Sequence, residues 1–376
     1  MIDRLLKEVI EEKIGKKKAI ILLGARQTGK TTLVKKIQNN LSGQTLFLNA
    51  DDPVVRQQFS EVSLESIKAV IGKAVNLIID EAQRIRDIGI TLKLIVDEMP
   101  DVQLIVTGSS SLELANSINE PLTGRKYEYR LYPISWQELV EHTNYIEALS
   151  QLEQRIVYGM YPDVIVQKGE EKETLINLTE SYLYKDIIAF QQIRKPEFVH
   201  KLLQALAFQT GNEVSYNELS NLLQIDRKTV INYIDLLEKA FIIFRLPSFS
   251  RNLRNELSSK IKIYFHDTGI RNTLIGDFRP FNLRQDKGAL WENFLVSERV
   301  KSNHYGRKYA NMYFWKTHQR QEIDLIEEAD GQLCAFEFKW SKETNARIPE
   351  TFLNTYKNSI TEVVTSANFN KFLTHE

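Results

Sequence analysis

The first residues whose types and spacing suit a chemical role form a glycine-bounded loop near the start of the chain. Directly after the apolar run 19–23, the sequence has the spacing Gly-x-x-x-x-Gly-Lys-Thr. The glycines let the backbone turn tightly, so that its N–H groups and the N-terminus of a following helix surround phosphate oxygens. This context predicts a phosphate-binding loop for ATP, and a chance glycine turn before a helix is the alternative. The residues predicted to bind the nucleotide here are Gly24, Ala25, Arg26, Gln27, Thr28, Gly29, Lys30, Thr31 and Thr32.

Two carboxylates at the end of another apolar run are expected to complete this site. In such a loop Lys30 reaches the β and γ phosphates, and the hydroxyl of Thr31 holds Mg²⁺. The run 75–79 ends in Asp80 and Glu81. We expect Asp80 to support the metal through water and Glu81 to polarise the attacking water in phosphoryl transfer. An Asp-Glu pair is common in turns, so this prediction depends on the neighbouring loop.

Two further residues are candidates for catalysis at the same site. The run 104–106 leads into a polar cluster in which Ser109 is predicted to sense the γ-phosphate, with helix capping as the alternative. Arg125 follows Gly124 and is either an arginine finger or a surface cation. If Arg125 acts between subunits, hydrolysis requires a homo-oligomer.

The last hundred residues carry a second set of candidate catalytic groups. Glu337 and Lys339 alternate along an apolar strand, so both point to one face. A hairpin with the preceding strand-like run brings Asp324 to Glu337, and these two carboxylates are predicted to bind a divalent cation such as Mg²⁺. Lys339 then activates water or stabilises charge, and Glu292 adds a carboxylate from a helix. The alternative is a surface hairpin with Glu–Lys pairs.

Between these sites the pattern predicts a helix-turn-helix. The run 215–218 has the spacing of a capping box, and Asp226 is expected to cap a second helix that exposes Arg227, Lys228, Thr229 and Asn232. From 245 to 262 there are five Lys and Arg residues against one Glu, and Arg251 and Arg254 are predicted to contact phosphate from a wing. The alternative is a packing module without DNA contact.

Composition limits the class of protein. The 376 residues include 43% hydrophobic and 26% charged side chains, which is ordinary for globular proteins. Lys plus Arg equals Asp plus Glu at 49, so any contact with DNA must be local. One cysteine and six scattered histidines exclude a disulfide framework and a Cys/His metal cluster. No run approaches the length of a membrane helix, and we expect a cytoplasmic protein without a membrane partner.

Taken together, the loop, the Asp80–Gln83 run, the 107–110 run and the 122–125 run resemble the AAA-type ATPase domain of a prokaryotic family described as archaeal or bacterial ATPases. The resemblance continues through 132–136 and 159–162, where Met160 replaces the second glycine of the usual Gly-Gly-Tyr-Pro. It implies ATP binding with Mg²⁺ and hydrolysis. The segment 288–340 resembles the domain of unknown function that follows this ATPase type. Its residues Glu292, Asp324, Glu337 and Lys339 are similar to the PD-(D/E)XK nuclease core.

These observations predict an α/β fold with a parallel-sheet P-loop ATPase domain and a restriction-endonuclease-like α/β C-terminal domain. The predicted parts are the ATPase domain at 1–145, a helical lid or connector at 146–195, a winged helix-turn-helix at 196–270 and the nuclease-like domain at 280–376. The leading hypothesis is an ATPase whose nucleotide state controls a DNA-associated nuclease-like domain. The alternative is an ATPase switch with a catalytically inactive C-terminal domain that binds a protein partner.

Overall fold

The chain forms two compact units. The computed structural model describes residues 2–60, 63–109, 118, 121–188, 196–250 and 260–374. Unit 1 consists of Met1–Pro133 together with Lys239–Phe241, and unit 2 consists of Ile134–Glu238 and Ile242–Glu376. The predicted Arg251 and Arg254 lie outside the described residues.

A five-stranded parallel sheet is the centre of unit 1. The strand order is β2-β3-β4-β1-β5. The inner strands β1, β3 and β4 are buried throughout, because each is covered on both faces, whereas β2 and β5 are edge strands and partly exposed. The predicted parallel α/β sheet is confirmed. Its strands are β1 (Ala19–Leu23), β2 (Thr45–Asn49), β3 (Asn76–Asp80), β4 (Gln103–Gly108) and β5 (Lys126–Arg130).

Of the helices described in unit 1, the first precedes β1 and the others lie between the strands in the sequence. A capping box at Ser63 and Ser66 starts the fourth of them, α4. A short 3₁₀ turn, Ala82–Arg84, follows β3. The helices are α1 (Leu6–Glu11), α2 (Lys30–Gln38), α3 (Pro53–Ser60), α4 (Leu64–Ile71) and α5 (Ile88–Glu98).

Unit 2 begins with a helical segment that includes the run 159–162. Gly159 has φ +78°, and a Cβ at this position would overlap the carboxylate of Asp267. That carboxylate accepts hydrogen bonds from the backbone N–H groups of Met160 at 2.6 Å and Ile270 at 3.1 Å. The glycine is therefore required by a buried carboxylate within unit 2. The helices are α6 (Trp136–His142), α7 (Tyr145–Ser150), α8 (Leu152–Tyr158), α9 (Pro162–Val166), α10 (Glu171–Ile188) and α11 (Pro196–Phe208).

Two short helices and a three-stranded antiparallel sheet follow. They are α12 (Tyr216–Leu223) and α13 (Arg227–Lys239), with β6 (Glu213–Ser215), β7 (Ile243–Pro247) and β8 (Lys260–Phe265) in the order β6-β8-β7. Asp226 caps α13 as expected, because its carboxylate accepts the N–H of Thr229 at 2.9 Å. The predicted capping box at 215–218 is wrong, since the side chain of Ser215 makes no capping hydrogen bond.

The C-terminal part of unit 2 contains a mixed four-stranded sheet in the order β12-β11-β10-β9. Strands β9, β10 and β11 are antiparallel, and β12 is parallel to β11. The pairing of β10 with β9 shifts register between Ile323 and Ile326, a stretch that includes Asp324. The elements here are α14 (Thr268–Ile275), a 3₁₀ turn (Phe281–Leu283), α15 (Lys287–Tyr305), β9 (Asn311–Lys316), β10 (Glu322–Ala329), β11 (Gln332–Lys339), α16 (Glu350–Thr355), β12 (Ile360–Thr365) and α17 (Phe369–Leu373).

The long helix α15 is buried along most of its length and carries charges into the interior. Arg299 donates from Nε and Nη2 to the two carboxylate oxygens of Glu327, at 2.8 and 2.7 Å. Asn303 donates to Glu327 at 2.6 Å. These buried charges are tolerated because each has hydrogen-bonding partners of opposite charge or polarity.

Candidate functional site

The glycine loop lies between β1 and α2 and needs both of its glycines. A Cβ on Gly24 would overlap the carbonyl oxygen of Leu131, whose own N–H donates to Leu23 at 2.7 Å. Gly29 has φ +93° and immediately precedes α2, a left-handed conformation that residues with a Cβ rarely adopt. The loop therefore presents backbone N–H groups and a helix N-terminus at one place, which is the arrangement that binds phosphate.

Lys30 is held inside the loop. Its side chain is buried, and its ammonium donates to the carbonyl oxygens of Gly24 at 2.9 Å and Ala25 at 2.8 Å. The loop itself is fixed by Thr28, whose hydroxyl donates to Ala25 at 2.8 Å and whose carbonyl accepts from the buried Arg4 at 2.6 Å. A positive charge is thus positioned at the centre of a preorganised loop. Gln27 and Thr32 are exposed, and Arg26 is partly exposed.

Hydroxyl and carboxylate oxygen atoms of the kind that bind Mg²⁺ lie beside the loop. The hydroxyl of Thr31 donates to Oδ2 of Asp80 at 2.8 Å. The other carboxylate oxygen of Asp80 accepts from the hydroxyl of Thr107 on β4. Asp80 ends β3 and the loop follows β1, and β4 lies between these two strands. Asp80 and the loop therefore lie at the same end of the sheet, separated by one strand. Hydroxyl and carboxylate oxygens are the hard ligands that Mg²⁺ prefers, so these residues fit the metal.

Glu81 is positioned by an amide that the sequence analysis missed. Nε2 of Gln83 donates to Oε2 of Glu81 at 2.6 Å and to the hydroxyl of Ser109 at 2.7 Å. The N–H of Ser109 donates back to Oε1 of Gln83 at 3.3 Å. Glu81 itself has φ +55°, a strained conformation for a residue with a side chain, and its N–H donates to Thr107 at 3.2 Å. The predicted Glu81 and Ser109 are therefore joined through Gln83.

Arg125 lies in a different contact. Its Nε forms an ion pair with Oδ1 of Asp97 at 2.5 Å, and its side chain is 42% exposed. The structure thus brings together the loop, Asp80, Glu81 and Ser109, and places Arg125 beside Asp97. Its role as an arginine finger stays a prediction.

The predicted C-terminal residues do lie close together, but with an additional lysine among them. The ammonium of Lys262 on β8 is 2.8 Å from Oε1 of Glu292, 2.6 Å from Oε1 of Glu322 and 4.0 Å from Oδ1 of Asp324. The hydroxyl of Tyr264 also donates to Oε1 of Glu292, at 2.5 Å. Neither Lys262 nor Glu322 was among the residues that the sequence singled out.

The two strand carboxylates have different surroundings. Oδ2 of Asp324 accepts the N–H of Phe338 at 2.8 Å, and Lys339 donates to Oε1 of Glu337 at 2.6 Å. Oε2 of Glu337 is buried and has no hydrogen-bonding partner among the described residues. Burial, reinforced by the charge of Asp324, raises the pKa of Glu337 and raises that of Glu292 to about 7. These carboxyl groups therefore keep a proton to higher pH than a free glutamate does.

Two observations bear on a metal in this cluster. Within the described ranges, no group of three or more His, Cys, Asp or Glu side chains is placed to hold a metal ion. The side chain of Lys262 is only 1% exposed, and its ammonium already lies between Glu292 and Glu322. In this arrangement the residues do not fit a divalent cation beside Glu292. Asp324 and Glu337 as metal ligands stay a prediction.

The basic surface expected for DNA is smaller than the sequence indicates. Arg227, Lys228 and Asn232 are exposed on α13, as expected for a recognition helix, whereas Thr229 is partly buried and its hydroxyl donates to Asp226. Arg245, however, forms ion pairs with Asp235 and Glu238, and Lys262 is buried. Two of the five positive charges counted from 245 to 262 are therefore neutralised by partners, so the local charge excess is a poor guide to the surface.

The sheet, the glycine loop and the oxygen set at the neighbouring strand ends define unit 1 as a P-loop ATPase domain. Comparison with known families agrees, because residues 16–140 match a family described as "AAA domain". Residues 149–280 and 287–371 match two families that are each described as a domain of unknown function. The family match therefore covers the ATPase fold and leaves the nuclease-like character of the C-terminal domain a prediction.

The relatives that align with most of the chain share only a low sequence identity with it. An uncharacterized protein of Mycobacterium tuberculosis is 27% identical over 325 residues, which cover 85% of this chain and 70% of the relative. An uncharacterized protein of Methanocaldococcus jannaschii is 24% identical over 342 residues, covering 84% of this chain and 74% of the relative. The structure of a Walker-type ATPase of Pyrococcus abyssi aligns with a TM-score of 0.53 at 16% identity, covering 73% of this chain and 96% of that one. This likeness supports the fold.

Over the described part of the chain, none of the helices combines the length and the apolar character needed to cross a membrane.

Proposed function

We propose that unit 1 binds ATP with Mg²⁺ and hydrolyses it. The observation that carries this proposal is the 2.8 Å hydrogen bond between Thr31 and Asp80, which brings the loop hydroxyl and the strand-end carboxylate to one point. Thr31 would hold the metal directly and Asp80 would support it through water, and Mg²⁺ would offset the charge of the phosphates. Lys30 and the loop N–H groups bind the phosphates, and Glu81 orients and polarises the attacking water.

A phosphate-release assay of the full chain tests this proposal. We expect ATP turnover that requires Mg²⁺, that disappears with a chelator, and that is strongly reduced in a Thr31→Ala variant. Turnover that is unaffected by Thr31→Ala and by chelation would exclude the assigned metal site.

Gln83 is expected to position Glu81, because its amide is hydrogen-bonded to both Glu81 and Ser109. A Gln83→Ala variant should lower kcat for ATP by about 10- to 100-fold, since a misdirected carboxylate loses much of its contribution to activating water. The KM should change little, because the amide of Gln83 is hydrogen-bonded to Glu81 and Ser109. Steady-state kinetics measure both constants.

Ser109→Ala serves as the matched control for Gln83. It removes one of the two hydrogen bonds that the amide nitrogen donates and keeps the one to Glu81, so its loss of kcat should be smaller. A Gln83→Ala protein with unchanged kcat and raised KM would show that Gln83 acts in binding and not in positioning.

Arg125 is proposed to act between subunits of a homo-oligomer, and its partner Asp97 offers a matched test. If Arg125 is an arginine finger, Arg125→Ala should lower kcat by about 10³-fold. Asp97→Ala, which breaks the same ion pair, should leave kcat nearly unchanged. In the wild type, specific activity should rise with protein concentration. Equal and small effects of both variants, with activity independent of concentration, would assign Arg125 to a surface ion pair.

For the rest of the chain, the leading proposal is that the nucleotide state controls a C-terminal domain of nuclease-like fold that associates with DNA in the cytoplasm. Three features support it: the exposed basic residues of α13, the helix–three-strand–helix–strand order of 287–365, and the common location of Asp324, Glu337 and Lys339. Incubation with supercoiled or branched DNA and Mg²⁺ or Mn²⁺, with and without ATP, tests it. The wild type should cut and Glu337→Ala should not, while Lys30→Ala shows whether ATP controls cleavage.

A second candidate is favoured by the ammonium of Lys262 within the carboxylate cluster. In this version the C-terminal domain is inactive as a nuclease and binds a protein partner in one nucleotide state. It predicts ATP turnover without DNA cleavage, and capture of the partner that differs between the ATP and ADP forms. Equal capture in both forms would exclude it.

A further inference from the structure

The cluster of Glu292, Glu322, Asp324 and Glu337 contains a cation that comes from outside its own sheet. Lys262 lies on β8, in the small antiparallel sheet, and reaches the carboxylates of α15 and β10. Its side chain is 1% exposed, and its ammonium contacts Glu292 at 2.8 Å and Glu322 at 2.6 Å. A buried ammonium persists only where carboxylates and hydrogen bonds replace its hydration.

The charges around this lysine explain why it is held there. The four carboxylates face Lys262 and Lys339, and Lys339 donates to Glu337 at 2.6 Å. Lys262 contacts Glu292 at 2.8 Å and Asp324 at 4.0 Å. Glu322 also faces a third lysine, Lys316, at 2.9 Å, and Lys316 in turn pairs with Glu213 at 2.7 Å. Removing Lys262 would leave several carboxylate oxygens without this cation in a partly buried space, and hard oxygen ligands of this kind attract a divalent cation.

We propose that the ammonium of Lys262 is the resident cation of this cluster, and that it and a divalent cation exclude one another beside Glu292 and Asp324. The inference rests on the second candidate function, because a wild-type cluster that binds no divalent cation at millimolar concentration does not support the metal-dependent cleavage of the leading proposal. A small neutral residue at position 262 creates a site for a hard cation, because it frees both the carboxylate oxygens and the volume of the ammonium. This proposal is independent of ATP hydrolysis, so either can fail alone.

The test measures Mn²⁺ binding to the full chain by electron paramagnetic resonance without nucleotide, in a Thr31→Ala background that removes the metal site of the loop. The Thr31→Ala parent, which keeps Lys262, should bind no stoichiometric Mn²⁺. Lys262→Ala should bind one Mn²⁺ per chain at least about tenfold more tightly than its parent, and a further Asp324→Asn change should abolish that binding.

Two controls distinguish the effect of removing the charge of Lys262 from the effect of freeing its volume. Lys262→Met removes the charge but fills the volume, so it should bind Mn²⁺ more weakly than Lys262→Ala. Lys316→Ala removes a partly exposed lysine that also contacts Glu322, and it should create no site. Mn²⁺ should raise the Tm of Lys262→Ala and leave that of its parent unchanged.

The proposal is overturned if the parent with Lys262 binds Mn²⁺ in a way that Asp324→Asn abolishes, because the lysine and the metal would then coexist. It is also overturned if a folded Lys262→Ala protein binds Mn²⁺ no better than its parent. The first outcome can be read even if the Lys262 variants do not fold.

Discussion

A Lys30→Ala protein is expected to keep its fold and to lose about 10²- to 10³-fold in kcat/KM for ATP, the range found when one preorganised electrostatic group is removed from an active site. Lys30 is buried within the loop and is hydrogen-bonded to the carbonyl oxygens of Gly24 and Ala25. Its charge is thus fixed before the nucleotide arrives. A fixed charge stabilises the transferred phosphoryl group without reorganisation, and alanine cannot replace it.

A matched control for Lys30 is available on the same helix. Lys36 forms an ion pair with Asp3 at the surface of unit 1, so Lys36→Ala should leave kcat/KM nearly unchanged. Glu81→Gln distinguishes binding from chemistry, because it should retain ATP affinity while kcat falls. If Lys30→Ala and Lys36→Ala hydrolyse ATP equally well, the loop is not the site of turnover.

The second large effect concerns the stability of unit 2. Glu327→Ala is expected to lower the free energy of unfolding by about 3–5 kcal/mol, the usual cost of removing one partner of a buried ion pair. Glu327 is 1% exposed and accepts two hydrogen bonds from Arg299 and one from Asn303. Without the carboxylate, Arg299 is a buried charge with no anionic partner at that position. Urea denaturation followed by circular dichroism measures the loss.

The pH dependence of this pair has a definite sign. Burial alone would raise the pKa of Glu327, but the hydrogen bonds and charge of Arg299 outweigh burial and lower that pKa below its usual value. The pair therefore contributes its stability above about pH 4.3, the pKa of a free glutamate, and loses it as pH falls through the lower pKa of the folded state. The difference in stability between wild type and Glu327→Gln should accordingly shrink in acid.

An Arg299→Met/Glu327→Met double variant tests the cause of the loss. If an uncompensated charge is responsible, removing both charges should recover much of the stability lost by Glu327→Ala. A double variant that is less stable than Glu327→Ala would instead show that the pair itself contributes a large net stabilisation.

The ATPase fold and the centre of its site could be predicted because their signals are local in the sequence. The loop is contiguous, and Asp80 and Glu81 directly follow a buried strand, so composition and spacing were sufficient. The contacts of Thr107 and Gln83 could not be predicted, because they depend on β4 lying between β3 and β1. Strand order is set by packing across the whole sheet, so it cannot be predicted from the sequence of a short segment.

The C-terminal site shows the opposite case. Its carboxylates were recognised by type and order, yet Lys262 was counted among the basic residues of a wing. Its burial depends on how β8 packs against α15, which no pattern within β8 indicates. The capping box at Ser215 failed for a related reason, since the correct spacing of residue types does not determine the rotamer of the serine. Asp226 caps its helix because its carboxylate reaches both the N–H and the hydroxyl of Thr229.

Unit 1 consists of two separate pieces of chain, and this affects when it can finish folding during synthesis. Phe241 is buried in unit 1, and its ring meets that of Tyr132 edge to face, with 6.4 Å between centroids. Yet the piece 239–241 is translated more than one hundred residues after Pro133. At about 5–20 residues per second, the ribosome needs several seconds to supply it. The nucleotide-binding unit is therefore finished only after much of unit 2 has emerged, and a fragment that stops at Pro133 should expose the apolar surface around Tyr132 and aggregate.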